Sequence, residues 1–428
     1  MKMLVDTPVW SLASRNQPNT EADERAVKEL TELVRESRVV MIGLIRQEIL
    51  SGISDEGKFE TLRQKLRAFD DEVLTTVRTC RRSRNLKGGL DPMAEKKPRH
   101  MTLNRFLVQR QRVYPGAAGE LTRVMDQVGT VGKIISSYMR RAALEALTGL
   151  TGEVNVQGEQ VRKLDEVGNT IFVEAFEYVD IVGAIVSEEI DQPLILASDR
   201  APGRYVVLVD PIDGSSNLDV DCVIGSIFSV RSLKGSVEES ILRKGADQVA
   251  AGYIMYGTST ILVYSAGDGV HSFVLDEEIG EFVLDHDSVR MPDRGKTMAS
   301  NFSNYGIWGE PARRFADTLA AAEKDRYSLR YSGTLVADLH QILHRGGIYF
   351  YPEDDTRPKG KLRLLYECAP LALIAEQAGG GATTGRIRVS DIQPESVHQR
   401  IPFAIGSRYE IERYDEAYRG TVPGLRIL

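Results

Sequence analysis

The residues with the clearest chemical purpose form one run, Asp210-Pro211-Ile212-Asp213-Gly214-Ser215-Ser216-Asn217-Leu218-Asp219. Two carboxylates followed by a turn of small hydroxyl residues would fill a core badly. They suit hard divalent cations, which take oxygen ligands, beside an anion cradled by exposed backbone N–H groups. Further acids stand at comparable places: Asp165 near the start of a helical pattern, Glu188-Glu189 after an apolar run, and Glu367 where a strand pattern meets a helical one. Each alone reads equally well as a cap, a dipole partner or a solvated loop acid. Brought together, they would concentrate negative charge that cations must neutralise.

The elements that would deliver these groups follow from periodicity. The run Tyr205-Val206-Val207-Leu208-Val209, bounded by Gly203 and Pro211, predicts a buried strand ending at Asp210. Residues 182–186 predict a second strand, ending at Glu188. A helix from Lys163 to about residue 179 would carry Asp165, and Glu367 is expected to open a helix running to Gln377. Leu121, Met125, Val128, Val131, Ile135 and Tyr138 recur at three- and four-residue spacing, predicting a long helix over 119–147, continuous or broken once. Glycine-punctuated apolar runs between 224 and 275 predict successive antiparallel strands, with their tyrosines in the core. A helix over 335–344 and a strand over 347–351 follow. Residues 152–161, polar and glycine-containing, read as a mobile loop. His340 and His344 lie one turn apart, a metal-binding spacing, but with no third ligand nearby a helix-face role is preferred; His271 and His286 read as structural.

Composition narrows the class. A chain of 428 residues with 42% hydrophobic content can bury a large core in two or three domains. Its 54 basic and 61 acidic residues leave a net charge of −7, which offers no global attraction to nucleic acid or an anionic membrane. No apolar run approaches a membrane span, and Asp6 comes too early for a secretory signal. Cys80, Cys222 and Cys368 are too scattered for a zinc site or a disulfide framework, so a reduced cytoplasm is expected.

The run 210–219, together with residues 361–367 (Lys-Leu-Arg-Leu-Leu-Tyr-Glu) and 376–385 (Glu-Gln-Ala-Gly-Gly-Gly-Ala-Thr-Thr-Gly), resembles the motifs of class I fructose-1,6-bisphosphatases over nearly all of 101–428. That resemblance implies an α/β sugar-phosphatase fold, a layered αβαβα sandwich of two halves, 101–289 (regulatory, AMP-type) and 290–428 (substrate-binding). It implies hydrolysis of D-fructose 1,6-bisphosphate in gluconeogenesis or the Calvin cycle. Glu188, Asp210, the Ile212 carbonyl, Asp213 and Glu367 would hold about two or three Mg²⁺, or Mn²⁺, per subunit. Asp165 and Glu189 would activate the attacking water. Gly214, Ser215 and Ser216, with Asp213, would bind the 1-phosphate side. Asn301, Tyr305, Arg330, Tyr331, Tyr351 and Lys361 would bind the sugar and 6-phosphate, with Arg363 a supporting charge and Arg330 reaching in from a neighbouring subunit of a homotetramer. Asn155 and Glu159 would act from the mobile loop. Gly119, Glu120 and Thr122 match an AMP inhibitor site, whereas Ala118 and Arg204 replace the usual threonine and lysine. Residues 301–305 depart from the usual Asn-Glu-Gly at Phe302 and Ser303. The alternative is a sedoheptulose-1,7-bisphosphatase or a dual bisphosphatase, and Asn217 argues against the dedicated sedoheptulose type. Inositol monophosphatase is disfavoured by the distal set Arg330, Tyr331 and Lys361.

Residues 1–80 stand outside this match. A short strand near Leu4, a helix over 20–36 with Val27, Leu30, Leu33 and Val34 on one face, and a second apolar run at 39–43 resemble the first half of a PIN-domain ribonuclease, with Asp6 and Glu48 as its first two acids. Two acids do not assemble a two-metal nuclease. The segment reads as a truncated PIN-like appendage, a gene fusion or a misassigned start, joined through a linker at 81–100.

Overall fold

The computed structural model describes residues 3–4, 21–35, 39–40, 101–111, 119–141, 150–154, 160–197, 203–321 and 326–420. The chain divides into two compact units, 1–97 and 98–428. In the first, β1 (Met3–Leu4) pairs in parallel with β2 (Val39–Val40), and α1 (Glu21–Arg35) lies between them in the chain. Asp6, Glu48 and the expected linker at 81–100 fall outside the described residues.

The second unit is layered as helices, sheet, helices, sheet, helices. Its larger sheet has eight strands: β5 (Val182–Ser187), β6 (Leu194–Ile195), β7 (Tyr205–Asp213), β8 (Ile224–Ser232), β9 (Gln248–Tyr256), β10 (Thr260–Ser265), β11 (His271–Asp276) and β12 (Glu281–His286). They stand side by side in the order β12-β11-β10-β9-β8-β7-β5-β6, antiparallel except for the parallel pair β5–β7. One face packs under α2 (Leu103–Gln111), α3 (Glu120–Met139) and α4 (Lys163–Glu177) through Phe106, Val128, Val131, Phe172, Val207, Phe228 and Ile254. The other face turns Ile227, Tyr253 and Val263 toward two central helices, α6 (Leu335–Arg345) and α7 (Ala369–Gln377). Adjacent residues Ile227 and Phe228 thus serve opposite cores, as the two-residue period of a strand requires.

Beyond the central helices lies a second sheet of five strands, ordered β14 (Ser328–Leu329), β13 (Thr297–Ala299), β15 (Gly347–Tyr351), β19 (Phe403–Gly406), β17 (Gly381–Thr383). In β15, Ile348 and Phe350 join the outer core with α5 (Glu310–Ala320) and α8 (Arg408–Arg419), while Tyr349 and Tyr351 face inward. A two-stranded ladder pairs β16 (Leu362–Arg363) with β18 (Arg400–Ile401).

The long helix is described over Glu120–Met139, with Arg140 bonded back to Ser136, and residues 142–147 of the expected span lie outside the described residues. Two local expectations need correction. The ends of the expected loop at 152–161 are strands: β3 (Leu150–Val154) pairs antiparallel with β4 (Gln160–Arg162). Asn155 and Glu159 lie between them, outside the described residues. The strand expected to stop before Pro211 runs on to Asp213.

Candidate active site

The continuation of β7 through Pro211 decides the geometry of the acids. Opposite it, β8 pairs Ile227 with Asp210 and Gly225 with Asp213, so three steps on one strand face two on the other. That extra residue is a β-bulge, which accommodates a proline with no N–H to donate. In an unbroken strand Asp210 and Asp213 would point to opposite faces. Across the bulge both point into one cavity.

Asp213 is held by the start of α6. Leu335 N donates to its Oδ1 at 3.2 Å and Val336 N to its Oδ2 at 2.7 Å, two of the N–H groups that a helix N-terminus leaves unpaired. The helix comes this close because residue 225 is a glycine: a Cβ there would stand 2.6 Å from Val336 Cβ. Asp165, in the first turn of α4, is brought in by a similar contact, since a Cβ on Gly168 would meet Ile212 Cγ1 at 2.7 Å. Glu188 follows β5 and is tied by its N–H to Val209 O at 3.0 Å. Glu367 does not open a helix as expected. It sits in a π-helical turn, Leu364–Cys368, that precedes α7, and its Oε2 accepts from Arg363 N at 2.6 Å.

Asp165, Glu188, Glu189, Asp210, Ile212, Asp213 and Glu367 line one cavity of about 260 Å³. Gly214, Ser215 and Ser216 form its next wall, and Tyr331, Tyr351 and Lys361 its far one. Gly214 turns the chain at φ 77°, with Thr334 Oγ1 only 2.2 Å from where a Cβ would be. Asn217 then ties this turn to the loop before α6, donating to Val223 O (3.1 Å), Ser332 O (3.0 Å) and Thr334 Oγ1 (2.6 Å). Asn217 stands behind the wall and acts on the cavity through that loop.

The electrostatics fit a cation site. Oxygens of Asp210, Asp213 and Glu367 lie within 4.8 Å of one another, and all three residues are buried. Burial, opposed by Arg363 and reinforced by Glu367 and Glu189, pushes Glu188 up to about 8. Asp210 is raised well above the usual carboxylate range by burial and by Glu188, Asp213 and Glu367. Burial likewise lifts Asp213 to about 7 against the pull of the Val336 and Leu335 N–H groups. A buried cluster whose carboxyl groups push one another's pKa upward, and which offers only oxygen donors, is one that hard divalent cations would complete. At this acidic end Arg363 is paired with Glu188.

The distal set assembles only in part. Lys361 Nζ sits 5.5 Å from the Tyr351 ring centre, and Tyr331 is 39% exposed at the rim. Asn301, Tyr305 and Arg330 do not line the cavity. Asn301 instead caps its own turn, accepting from Ser303 N at 3.3 Å and Ser303 Oγ at 2.6 Å. Tyr305 donates to Asp317 at 2.7 Å and stacks on Phe302. Arg330 is exposed, its N–H bonded to Met298 O at 2.8 Å. Sequence reasoning passed over Asn304, whose Nδ2 donates to Tyr351 Oη at 3.2 Å, and Tyr349, which lines the cavity beside it. The strand alternation of 347–351 carried the signal for Tyr349; nothing local marked Asn304. In the expected nucleotide region, Arg204 is paired with Glu120 at 3.0 Å and Thr122 with Gln111 at 3.5 Å.

Residues 101–287 match the family model described as fructose-1-6-bisphosphatase, N-terminal domain, and residues 291–419 the corresponding C-terminal domain. The chain is 43% identical over 319 residues to a class 1 fructose-1,6-bisphosphatase of Trichormus variabilis, covering 73% of this chain and 91% of that one. The corresponding protein of Maridesulfovibrio salexigens is 42% identical over 330 residues, covering 98% of its length. Among solved structures, the holo form of Leishmania major fructose-1,6-bisphosphatase superposes with a TM-score of 0.71 at 37% identity, spanning 76% of this chain and 100% of that one.

Proposed function

The chain belongs to the class 1 fructose-1,6-bisphosphatase family, and on that premise we propose how its residues hydrolyse D-fructose 1,6-bisphosphate to D-fructose 6-phosphate and phosphate. The observation that carries the mechanism is the convergence of Asp165, Glu188, Asp210, Asp213 and Glu367, far apart in the chain, on one cavity with Ser215 and Ser216 at its edge.

Glu188, Asp210, Asp213, Glu367 and the Ile212 carbonyl would hold Mg²⁺ or Mn²⁺. Bound there, the ions supply Lewis acidity toward the phosphoryl oxygens, a more acidic water and charge to balance the leaving alkoxide. The chain's own groups do the remaining work. Gly214 and Ser215 N–H groups, with the Ser215 and Ser216 hydroxyls, orient the 1-phosphate. Asp165 and Glu189 take the proton of the attacking water. Lys361, Tyr331 and Tyr351 fix the far end of the substrate, so that binding energy is spent on orientation at the reacting phosphate. Arg330, exposed and outside its own cavity, supports an assembly in which it serves a neighbouring subunit.

The parallel strand–helix–strand start of residues 1–40 favours a PIN-like beginning for the first unit. We assign it no catalysis. Cys222 and Cys368 are free thiols, which supports a reduced compartment; no described helix is long and apolar enough to cross a membrane.

Steady-state kinetics on fructose 1,6-bisphosphate and sedoheptulose 1,7-bisphosphate, side by side in Mg²⁺ and in excess chelator, test this reading. Turnover of the fructose ester should be the faster and should stop on chelation. Undiminished phosphate release in chelator would overturn the mechanism. Faster turnover of the sedoheptulose ester would overturn the substrate.

A further inference from the structure

Tyr349 lies in the middle of β15, where strand alternation turns it, with Tyr351, toward the central helices. It is only 3% exposed, yet it lines the cavity. Its ring belongs to the apolar core that includes Leu335, Leu339 and Leu362. On the same face of the strand, the Tyr351 hydroxyl is already engaged by Asn304.

The Tyr349 hydroxyl is not. Among the described residues it has no hydrogen-bond partner. Nor is it walled off without one, since the enclosed, unpartnered side-chain atoms of the described residues belong to Asn169, Arg231, His271, Ser300 and Glu410. A hydroxyl on a nearly buried residue, neither bonded nor enclosed, opens into the space that the residue lines. Buried phenols ordinarily find a partner, because a desolvated O–H left unpaired is costly.

Its place along the cavity says what that partner is. Burial holds the phenol well above its ordinary range, and Tyr331, Asp338, Asp213 and Glu367 push the same way. The group therefore keeps its proton and can donate. The same neighbours locate it: Asp213 and Glu367 belong to the acidic end, and Tyr331 to the distal rim. Tyr349 thus stands between the two ends that take phosphates, where a bisphosphorylated sugar presents only its carbon frame and hydroxyls. An uncharged phenol on an apolar ring suits that stretch.

We propose that Tyr349 donates a hydrogen bond to a sugar hydroxyl of the bound substrate, and so selects for a hydroxylated frame between the two phosphates. This role rests on the bisphosphatase reading of the cavity and adds a contact to the sugar itself. Ligand pockets combine apolar walls with a few placed polar groups, and a buried group of that kind rejects a ligand unable to pair with it.

Tyr349→Phe removes the oxygen and keeps the ring. Wild type and variant are compared in Mg²⁺ by steady-state kinetics on fructose 1,6-bisphosphate and by competitive inhibition with hexane-1,6-diol bisphosphate, which has both phosphates and no hydroxyl. The variant should raise KM about three- to tenfold, with kcat changed less than about twofold. Its inhibition constant for the diol ester should stay within about twofold of wild type, and its circular dichroism should be unchanged. An unchanged KM overturns the proposal, because the phenol then serves only the protein interior. So does an equal weakening of the sugar and diol esters, which would mean that the variant loosens the phosphate ends. Wild type that binds the diol ester but does not hydrolyse fructose 1,6-bisphosphate would overturn the bisphosphatase reading itself, and this role with it.

Discussion

At the acidic end of the cavity four carboxylates have a holder within their own chain: two helix N–H groups for Asp213, the Arg363 N–H for Glu367, the Arg363 guanidinium for Glu188 and the bulge of β7 for Asp210. At the distal end, Tyr331, Tyr351 and Lys361 reach the space, while Asn301, Tyr305 and Arg330 are engaged or exposed elsewhere. The contrast separates two tasks. Charge that must be stabilised during reaction needs rigid, prearranged groups. A phosphate that only has to be gripped tolerates groups that come from loops or from another subunit. Substitutions at the two ends should therefore differ in kind as well as in size.

Asp210→Asn gives the largest effect. It removes one charge from the set that would hold the cations, and kcat should fall by about three orders of magnitude or more. The same change relieves repulsion among buried carboxylates, so the metal-free protein should gain about 1–2 kcal/mol at pH 8. Activity assays and chelator-treated thermal melts report the two halves. A variant that loses activity without gaining metal-free stability would mean that the acids are not strained by one another.

Gly214→Ala comes next. Alanine must adopt φ 77° and place its Cβ 2.2 Å from Thr334 Oγ1, the group that Asn217 also holds. A loss of about 2–4 kcal/mol is expected in denaturant melts, together with loss of phosphate binding. Without Mg²⁺, stability should also depend on pH. Glu188 and Asp213 rise in the folded state to about 8 and about 7, from ordinary values near 4.5 and 3.8. The folded protein therefore binds more protons than the unfolded chain across that window, and stability must fall as pH rises through it. The melting temperature in chelator should drop by about 5–10 °C between pH 5 and pH 8. Saturating Mg²⁺ should flatten the slope. A flat profile in chelator would remove the case for a charge-starved cavity.

How much of this was legible depended on whether the cause was local. The β-branched run 205–209 announced its strand, and the alternation in 347–351 announced which tyrosines face inward. Pro211 misled, because a proline after an apolar run marks either a strand end or a bulge, and only the partner strand distinguishes them. Gly225 was the available clue: a lone glycine in a strand pattern signals close approach by another backbone. Glu367 was assigned correctly to a junction and wrongly to a helix start, since a π-helical turn and the first turn of an α-helix share one apolar pattern. The grip of α6 on Asp213 joins positions 122 and 123 residues apart, and no spacing rule reaches that far.

Lys361→Met probes the distal end through a group that does reach the cavity. Removing an ammonium from beside Tyr351 takes away ground-state grip on the far phosphate, so KM should rise about tenfold with kcat nearly unchanged. A fall in kcat of similar size would mean that this end, too, contributes to the transition state.

The smallest effect separates family resemblance from geometry. Tyr305 matches a residue expected to offer its hydroxyl to the 6-phosphate, yet that hydroxyl donates to Asp317 at 2.7 Å, and the ring lies against Phe302 and Trp308. Phe302 stands where the family usually has a glutamate, and its ring supplies the apolar surface on which Tyr305 stacks. Tyr305→Phe keeps that stacking and removes one exposed hydrogen bond, so KM should change less than about twofold and stability by less than about 1 kcal/mol. Asn304→Ala removes the donor to Tyr351 Oη and should raise KM more than Tyr305→Phe does. If the order is reversed, the segment 301–305 rearranges when the sugar phosphate binds, and the distal wall is formed by the substrate instead of waiting for it.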